Sequence, residues 1–254
     1  MKYEEFDLNF SLDDKVSVIS GAANGIGKAI AYMFAKKGAR VVLCDKDDKV
    51  FKVAEDLKEY GAAAFQVDVT LKADITRMMD QVVQEYKAID VLINCAGVGL
   101  IEKAEEMSEE MWDITLDVNL KAPFLMSQIA AKSMINSGRG TIINIASQAG
   151  VVGIYGHAAY SASKAGLIGL TMVCALEWGK YGITVNAVSP TVVVTEMGMK
   201  TWSGDKEKES IALIPVGRFG QPDEIAAICV YLASDAARLV NGANFVIDGG
   251  YSIQ

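Results

Sequence analysis

The sequence predicts a single α/β domain, a doubly wound parallel sheet with helices on both faces. Three observations carry that expectation. Short, β-rich apolar runs alternate with longer helical patterns over nearly the whole chain, which is the rhythm of units that build parallel sheets. The short runs are continuously apolar, as strands covered on both faces are. A cluster of glycines directly follows the first run and opens the first helical pattern.

The elements follow in order. VSVIS (16–20) precedes a helical stretch ending near Gly38, and RVVLCD (40–45) precedes a charged amphipathic segment ending near Gly61. AAFQVDV (63–69) leads into a helical pattern to about Lys87, and DVLINCAG (90–97) follows. A long helical region, TIINIAS (141–147), a long helix from about Tyr160, ITVNAVSP (183–190) and ANFVIDGG (243–250) complete the series. With four prolines and no Pro/Gly/Ser-rich linker, residues 1–254 read as one domain with an N-terminal arm over 1–14. The rhythm breaks at 195–215, where charged residues interrupt the patterning. A loop of that length in a compact domain is expected to be a substrate lid.

Composition narrows the partners. At 51% apolar and 22% charged residues, the 254-residue chain supports a large core. A net charge of -8 argues against nucleic acid or an anionic membrane as partner. No apolar stretch is expected to reach the ~20 residues of a membrane span, and the acidic N-terminus shows no secretory signal. The cysteines, Cys44, Cys95, Cys174 and Cys229, each lie in apolar runs without metal or disulfide spacing, so a reducing cytoplasm is the expected compartment. One histidine, His157, excludes a histidine-based metal site, and no metal is expected.

Ser20-Gly21-Ala22-Ala23-Asn24-Gly25-Ile26-Gly27 lies between the first strand and the first helix. Glycines there permit a tight turn and close approach of a pyrophosphate, and a helix N-terminus offers it N–H groups and partial positive charge. A Rossmann-type dinucleotide site is the reading. Asp45 ends the second strand, where a carboxylate accepts hydrogen bonds from ribose hydroxyls and repels a 2′-phosphate. Ala22-Ala23-Asn24 holds no Arg or Lys to favour NADP. NAD is therefore the expected cofactor, with Lys46 the one ambiguity.

Tyr160 and Lys164 stand four apart on a predicted helix, hence on one face. A free phenol, with a pKa near ~10, is about 0.1% ionised at pH 7. An ammonium ~4 Å away at an effective dielectric of ~20 contributes about 4 kcal/mol, roughly three pKa units. That would supply a usable general acid/base, although on spacing alone a surface Tyr–Lys pair is the favoured reading.

The glycine turn, Asn94-Cys95-Ala96-Gly97 after the fourth strand, Asn119, Ser147 and Tyr160-x-x-x-Lys164 together resemble the short-chain dehydrogenase/reductase family, in order and over nearly the whole chain. The resemblance implies Tyr160 as acid/base, and Lys164 as the group that lowers its pKa and binds the nicotinamide ribose. It implies Ser147 on the substrate oxygen and Asn119 anchoring a relay water. It further implies cofactor contacts from Gly21, Asn24, Gly25, Ile26 and Gly27 in the turn, from Asp68 and Val69 at the adenine, and from Asn94 beneath the cofactor. Val193 and Thr195 fall at the positions for the nicotinamide carboxamide. Ser20 replaces the family's usual threonine, and Thr191 its usual glycine after Pro190.

Gln148, His157 and Trp202, with Ser189-Pro190-Thr191 and Thr195-Glu196-Met197-Gly198, are similar to the polyol dehydrogenase and L-xylulose reductase branch. The expected reaction is interconversion of a small polyol or vicinal diol (glycerol, tetritol or pentitol size) and its ketone, with Gln148, His157 and Trp202 contacting substrate. The alternatives are a 3-oxoacyl thioester reductase of the same family and a non-catalytic NAD-binding regulator. Asp45 counts against the first, and an intact Asn119, Ser147, Tyr160 and Lys164 against the second. Homotetramer is the family expectation, and the apolar helices holding Ala122–Ile135 and Ala165–Trp178 suit subunit packing.

Overall fold

A computed structural model describes residues 7–202 and 204–254. Among the described residues seven strands, all parallel, lie in the order β3-β2-β1-β4-β5-β6-β7. They are β1 Val16–Ser20, β2 Arg40–Asp45, β3 Ala63–Gln66, β4 Val91–Asn94, β5 Gly140–Ile145, β6 Ile183–Pro190 and β7 Asn244–Ile247. The helices are α1 Gly25–Lys36, α2 Lys49–Asp56, α3 Lys72–Tyr86, α4 Glu109–Leu116, α5 Ala122–Ser137, α6 Ala158–Trp178, α7 Glu196–Thr201, α8 Asp205–Ala212 and α9 Pro222–Ala233.

Successive strand residues feed opposite faces of the sheet. Ile19, Leu43, Ile93 and Ile143 pack with Phe34 of α1 and Ile225 of α9 on one side. Val18, Val42, Leu92 and Ile142 pack with Met78 of α3, Met126 of α5 and Cys174 of α6 on the other. Both layers are closed, which is why the strands read as unbroken apolar runs. The strand order reverses direction between β1 and β4, opening a crevice at their carboxyl ends where ligands of such sheets bind.

Three expectations about elements are corrected. The segment 195–215, expected as a loop, carries α7 and α8. Thr195 caps α7 by accepting the Gly198 N–H at 3.0 Å, and Glu196 pairs with Lys200 one turn on at 2.8 Å. The acidic Asp205 and Glu207 stand in the first turn of α8, where the helix dipole favours them. Four strand runs end early: Val67–Val69 leave β3, Cys95–Gly97 leave β4, Ala146 and Ser147 leave β5, and Asp248–Gly250 leave β7. Finally, Ala158–Tyr181 is long and apolar enough to cross a membrane, contrary to the reading of the sequence. This stretch is mostly α6, which packs on the sheet through Leu167, Thr171 and Cys174 and buries the charged Lys164.

Of the N-terminal arm, residues 1–6 lie outside the described residues. Residues 7–14 are docked: Leu12 is fully buried, and Phe10 meets Tyr231 edge-on with centroids 5.6 Å apart.

Candidate active site

The glycine turn closes on itself. A Cβ at Gly27 would stand 2.2 Å from the Gly21 carbonyl oxygen, and one at Gly21, where φ is +68°, would stand 2.7 Å from the Ala96 nitrogen. No side chain fits at either position, so the backbone of β1, the turn and the loop after β4 come together. Ser20 fastens that junction: its hydroxyl donates to the Ile93 carbonyl at 3.2 Å and accepts the N–H groups of Cys95 and Ala96 at 3.1 and 3.2 Å. A hydroxyl at this position is what matters, and serine supplies it as well as threonine. Asn24 in extended backbone precedes α1 without a side-chain capping bond, which leaves the N–H groups at Gly25, Ile26 and Gly27 to an anion. Thr195 stands over the same turn, its methyl 3.1 Å from where a Gly25 Cβ would lie.

Asp45 is half-buried at the end of β2 and reaches back to the turn. Its Oδ2 accepts the Ala23 N–H and its Oδ1 the Asp47 N–H, both at 3.0 Å. Asp68, just past β3, accepts the N–H and hydroxyl of Thr70 at 2.9 and 2.7 Å. Those bonds hold its carboxyl below the ordinary range, and the Lys46 ammonium adds to the effect. Lys46 thus faces an acid. Val69 is buried beside it.

The candidate catalytic residues converge. α6 begins two residues earlier than expected, which puts Tyr160 in its first turn, where the helix dipole favours an anion. Ser147 caps the short turn Gln148–Gly150 by accepting the Ala149 N–H at 3.1 Å. That turn presses on α6, since a Cβ at Gly150 would stand 2.8 Å from the Lys164 backbone. Asn119 sits in a π-helical turn, Asp117–Lys121, between α4 and α5. Its amide donates to the Val98 carbonyl at 2.9 Å and to the Ser163 hydroxyl at 3.2 Å, and its Oδ1 accepts the Val98 N–H at 2.8 Å. Gly97 lies between the Asn119 Oδ1 and the Lys164 Nζ, 3.3 and 3.7 Å from its Cβ position.

The electrostatics correct one expectation. Lys164 does not depress the phenol as its spacing suggested. Its Nζ donates to the Ile145 carbonyl at 2.8 Å and stays 5.7 Å from the Tyr160 ring centroid. Burial pushes the Tyr160 phenol up, opposed by a hydrogen bond with Ser147. Burial likewise drives the Lys164 ammonium down to about 8, opposed only in part by Cys95, because desolvation disfavours the charged form.

Comparison with known proteins agrees with this geometry. A family model described as enoyl-(acyl carrier protein) reductase matches residues 21–252. An NAD-dependent glycerol dehydrogenase of Listeria innocua is 49% identical over the full length of both chains. The chain belongs to the short-chain dehydrogenase/reductase family. A D-threitol dehydrogenase of Mycolicibacterium smegmatis is 48% identical over 98% of this chain and 96% of its own. The crystal structure of a short-chain dehydrogenase/reductase from Mycobacterium marinum superposes with a TM-score of 0.92 at 34% identity, covering 96% of this chain and 98% of that one.

In this short-chain dehydrogenase two of the residues the sequence expected at the substrate, His157 and Trp202, gather beside Tyr160. His157, buried beside Tyr160, meets the phenol ring edge-on with centroids 5.8 Å apart. Trp202, at the end of α7, stacks on the imidazole at 6.2 Å and 21°. Gln148 is buried, and its Oε1 has no hydrogen-bond partner among the described residues. Asn94 ends β4. Its side chain turns into the core, donating to the Asn144 Oδ1 at 2.8 Å and the Ser127 hydroxyl at 3.0 Å, and Asn144 in turn donates to the Thr171 hydroxyl at 2.9 Å. Sequence reasoning missed this buried chain and Ser163. Asn144, a polar residue inside an apolar strand run, was the available signal.

Proposed function

We propose that this short-chain dehydrogenase oxidises a small polyol or vicinal diol, of glycerol to pentitol size, to its ketone with NAD. The observation that carries the substrate reading is His157. Its Nδ1 lies 2.8 Å from the Tyr155 carbonyl oxygen, which only accepts, so in the neutral ring Nδ1 holds the proton and Nε2 is left as an acceptor. The imidazole therefore offers a lone pair beside the phenol, suited to a second hydroxyl next to the reacting one. The unpaired Gln148 Oε1 offers another acceptor. An apolar acyl chain satisfies neither, and leaving buried polar groups unpaired costs about 1–3 kcal/mol each. Relatives named for glycerol and D-threitol support the same reading.

The glycine turn and the first turn of α1 fit a pyrophosphate, Asp45 an unphosphorylated adenosine ribose, and Val193 with Thr195 the nicotinamide end. When bound, NAD supplies the hydride acceptor and a positive ring. The protein's own residues do the rest. Ser147 holds the substrate oxygen, Tyr160 takes the hydroxyl proton, and Lys164 binds the ribose. Asn119 anchors the exit path for the proton near Lys164, and Trp202 excludes water above the imidazole.

A kinetic panel of C3–C6 polyols and 3-oxoacyl thioesters, run with NAD(H) and NADP(H), tests this. Glycerol- to pentitol-sized polyols should turn over with NAD, and thioester turnover without polyol turnover would sink the reading.

We further propose a homotetramer built partly on α4, α5 and α6. Trp112, Ile114, Phe124, Met172, Val173 and Leu176 are exposed along these helices, an apolar surface suited to a second copy. Sedimentation equilibrium should give a mass near four chains, and a monomer at micromolar concentration would refute it. Four free cysteines, three buried and one partly so, suit a reducing cytoplasm.

A further inference from the structure

The lid that brings Trp202 over His157 leaves the sheet after β6 and returns before α9, and its two feet are tied together. The Gly220 N–H donates to the Val192 carbonyl at 2.9 Å, and the Val194 N–H to the Gly220 carbonyl at 2.9 Å. Both feet are also tied to one short stretch after β7. Thr191 donates its N–H to the Ile247 carbonyl at 3.1 Å, and Val216 donates its N–H to the Gly249 carbonyl at 3.1 Å. The residue between those two acceptors is Asp248.

Asp248 is 7% exposed and makes no contact with the catalytic residues described above. Its Oδ1 accepts the Gly250 N–H at 2.9 Å and its Oδ2 the Ser252 N–H at 2.8 Å. The carboxylate thus wraps the chain into a turn whose outer side presses on the downstream foot. The Cβ position of Gly249 lies 2.7 Å from the Ile214 side chain, and that of Gly250 lies 3.0 Å from the Pro215 ring. Gln254 adds a side-chain hydrogen bond to the Leu213 carbonyl. Burial alone would raise the carboxyl's pKa, but the Ser252 and Gly250 donors outweigh it and hold it low. It stays ionised at neutral pH and keeps both acceptors.

We propose that Asp248 is a positioning residue for the substrate lid, its carboxylate fixing the turn that receives the backbone N–H of both lid feet. The carbonyls of Ile247 and Gly249 are correctly aimed only while that turn holds its shape. Disturbing it shifts Val192–Val194 and Leu213–Gly220 together, and the displacement is felt at Trp202. Asparagine is the informative substitution. It has nearly the same shape but presents an NH2 group where two N–H donors converge, so one of the two bonds becomes a clash of donors.

The proposal rests on the dehydrogenase reading for its kinetic readout only. In Asp248→Asn the KM for polyol should rise about tenfold with kcat within twofold. In a Trp112→Phe, Trp178→Phe background, where Trp202 is the remaining tryptophan, the same change should shift emission to the red and increase acrylamide quenching. That optical readout needs no substrate, so it stands even if polyols prove wrong. A chain ending at Tyr251, which lacks the Ser252 donor and the Gln254 contact, should show the same effects more weakly, and serves if the asparagine variant does not fold. A lower Tm with KM and Trp202 quenching as in the parent would mean a structural role only and overturn the proposal.

Discussion

Replacing Tyr160 with phenylalanine is expected to lower kcat for alcohol oxidation by about a thousandfold, within the 10²–10⁴ typical of a positioned acid/base, while NADH still binds. The ring that meets His157 edge-on and lies near Lys164 is retained, so the cleft keeps its shape and loses one oxygen. Stopped-flow absorbance of NADH formation, with fluorescence titration of NADH binding, separates the two effects. A variant that turns over at more than a tenth of the parent rate would remove Tyr160 from the chemistry. A parent that binds NADH yet oxidises no alcohol would instead favour a regulatory nucleotide-binding protein. The pH dependence has a definite sign. Burial raises the phenol, and oxidation needs the phenolate, so kcat/KM for oxidation should climb with pH through the neutral range and into the alkaline. Ketone reduction needs the phenol and should fall over the alkaline part of that range.

Replacing Asp45 with serine should reduce the preference for NAD over NADP, as a ratio of kcat/KM values, by about a hundredfold, equivalent to about 2.7 kcal/mol. The carboxylate stands at the end of β2 and accepts the Ala23 N–H, so it is held rigidly at the place proposed for the adenosine ribose. Serine can still accept one of the two backbone donors, which limits collapse of the turn, and it removes the negative charge that repels a second one. Lys46 then becomes the nearest cation by sequence. If the ratio of the two coenzymes is unaltered, the adenosine ribose is read elsewhere. The thermal stability of the variant without coenzyme distinguishes a changed charge from a broken turn.

Much of this was legible in the sequence because it is local. Continuous apolar runs marked β1, β2 and β6 to the residue, since closed layers on both faces leave no alternation to confuse. The glycine turn was legible because a Cβ has nowhere to go at Gly21 or Gly27. The lid helices were not. Runs of six and eight residues fall below the length at which helical periodicity emerges, and their signals were the Thr195 cap and the Glu196–Lys200 pair. The direction of the Lys164 side chain was not legible either. Spacing put the amine one turn from the phenol, but only the fold shows that a backbone carbonyl of β5 claims it. The direction of the Asn94 side chain was hidden for a related reason, because a strand-end amide can face a ligand or the interior, and sequence order does not say which.

That interior amide chain bears on how the sheet finds its alignment. Asn94 and Asn144 are direct partners in the ladder between β4 and β5, and their amides meet across it. Sliding either strand by one residue sends the two groups to opposite layers of hydrocarbon, each bereft of its mate, with Ser127 and Thr171 deserted as well. Neighbouring misalignments that hydrophobic matching alone would tolerate are thereby disfavoured. A pair of asparagines at the centre of the sheet acts as a peg between its two halves, and the floor of the nucleotide cleft inherits its placement from that peg.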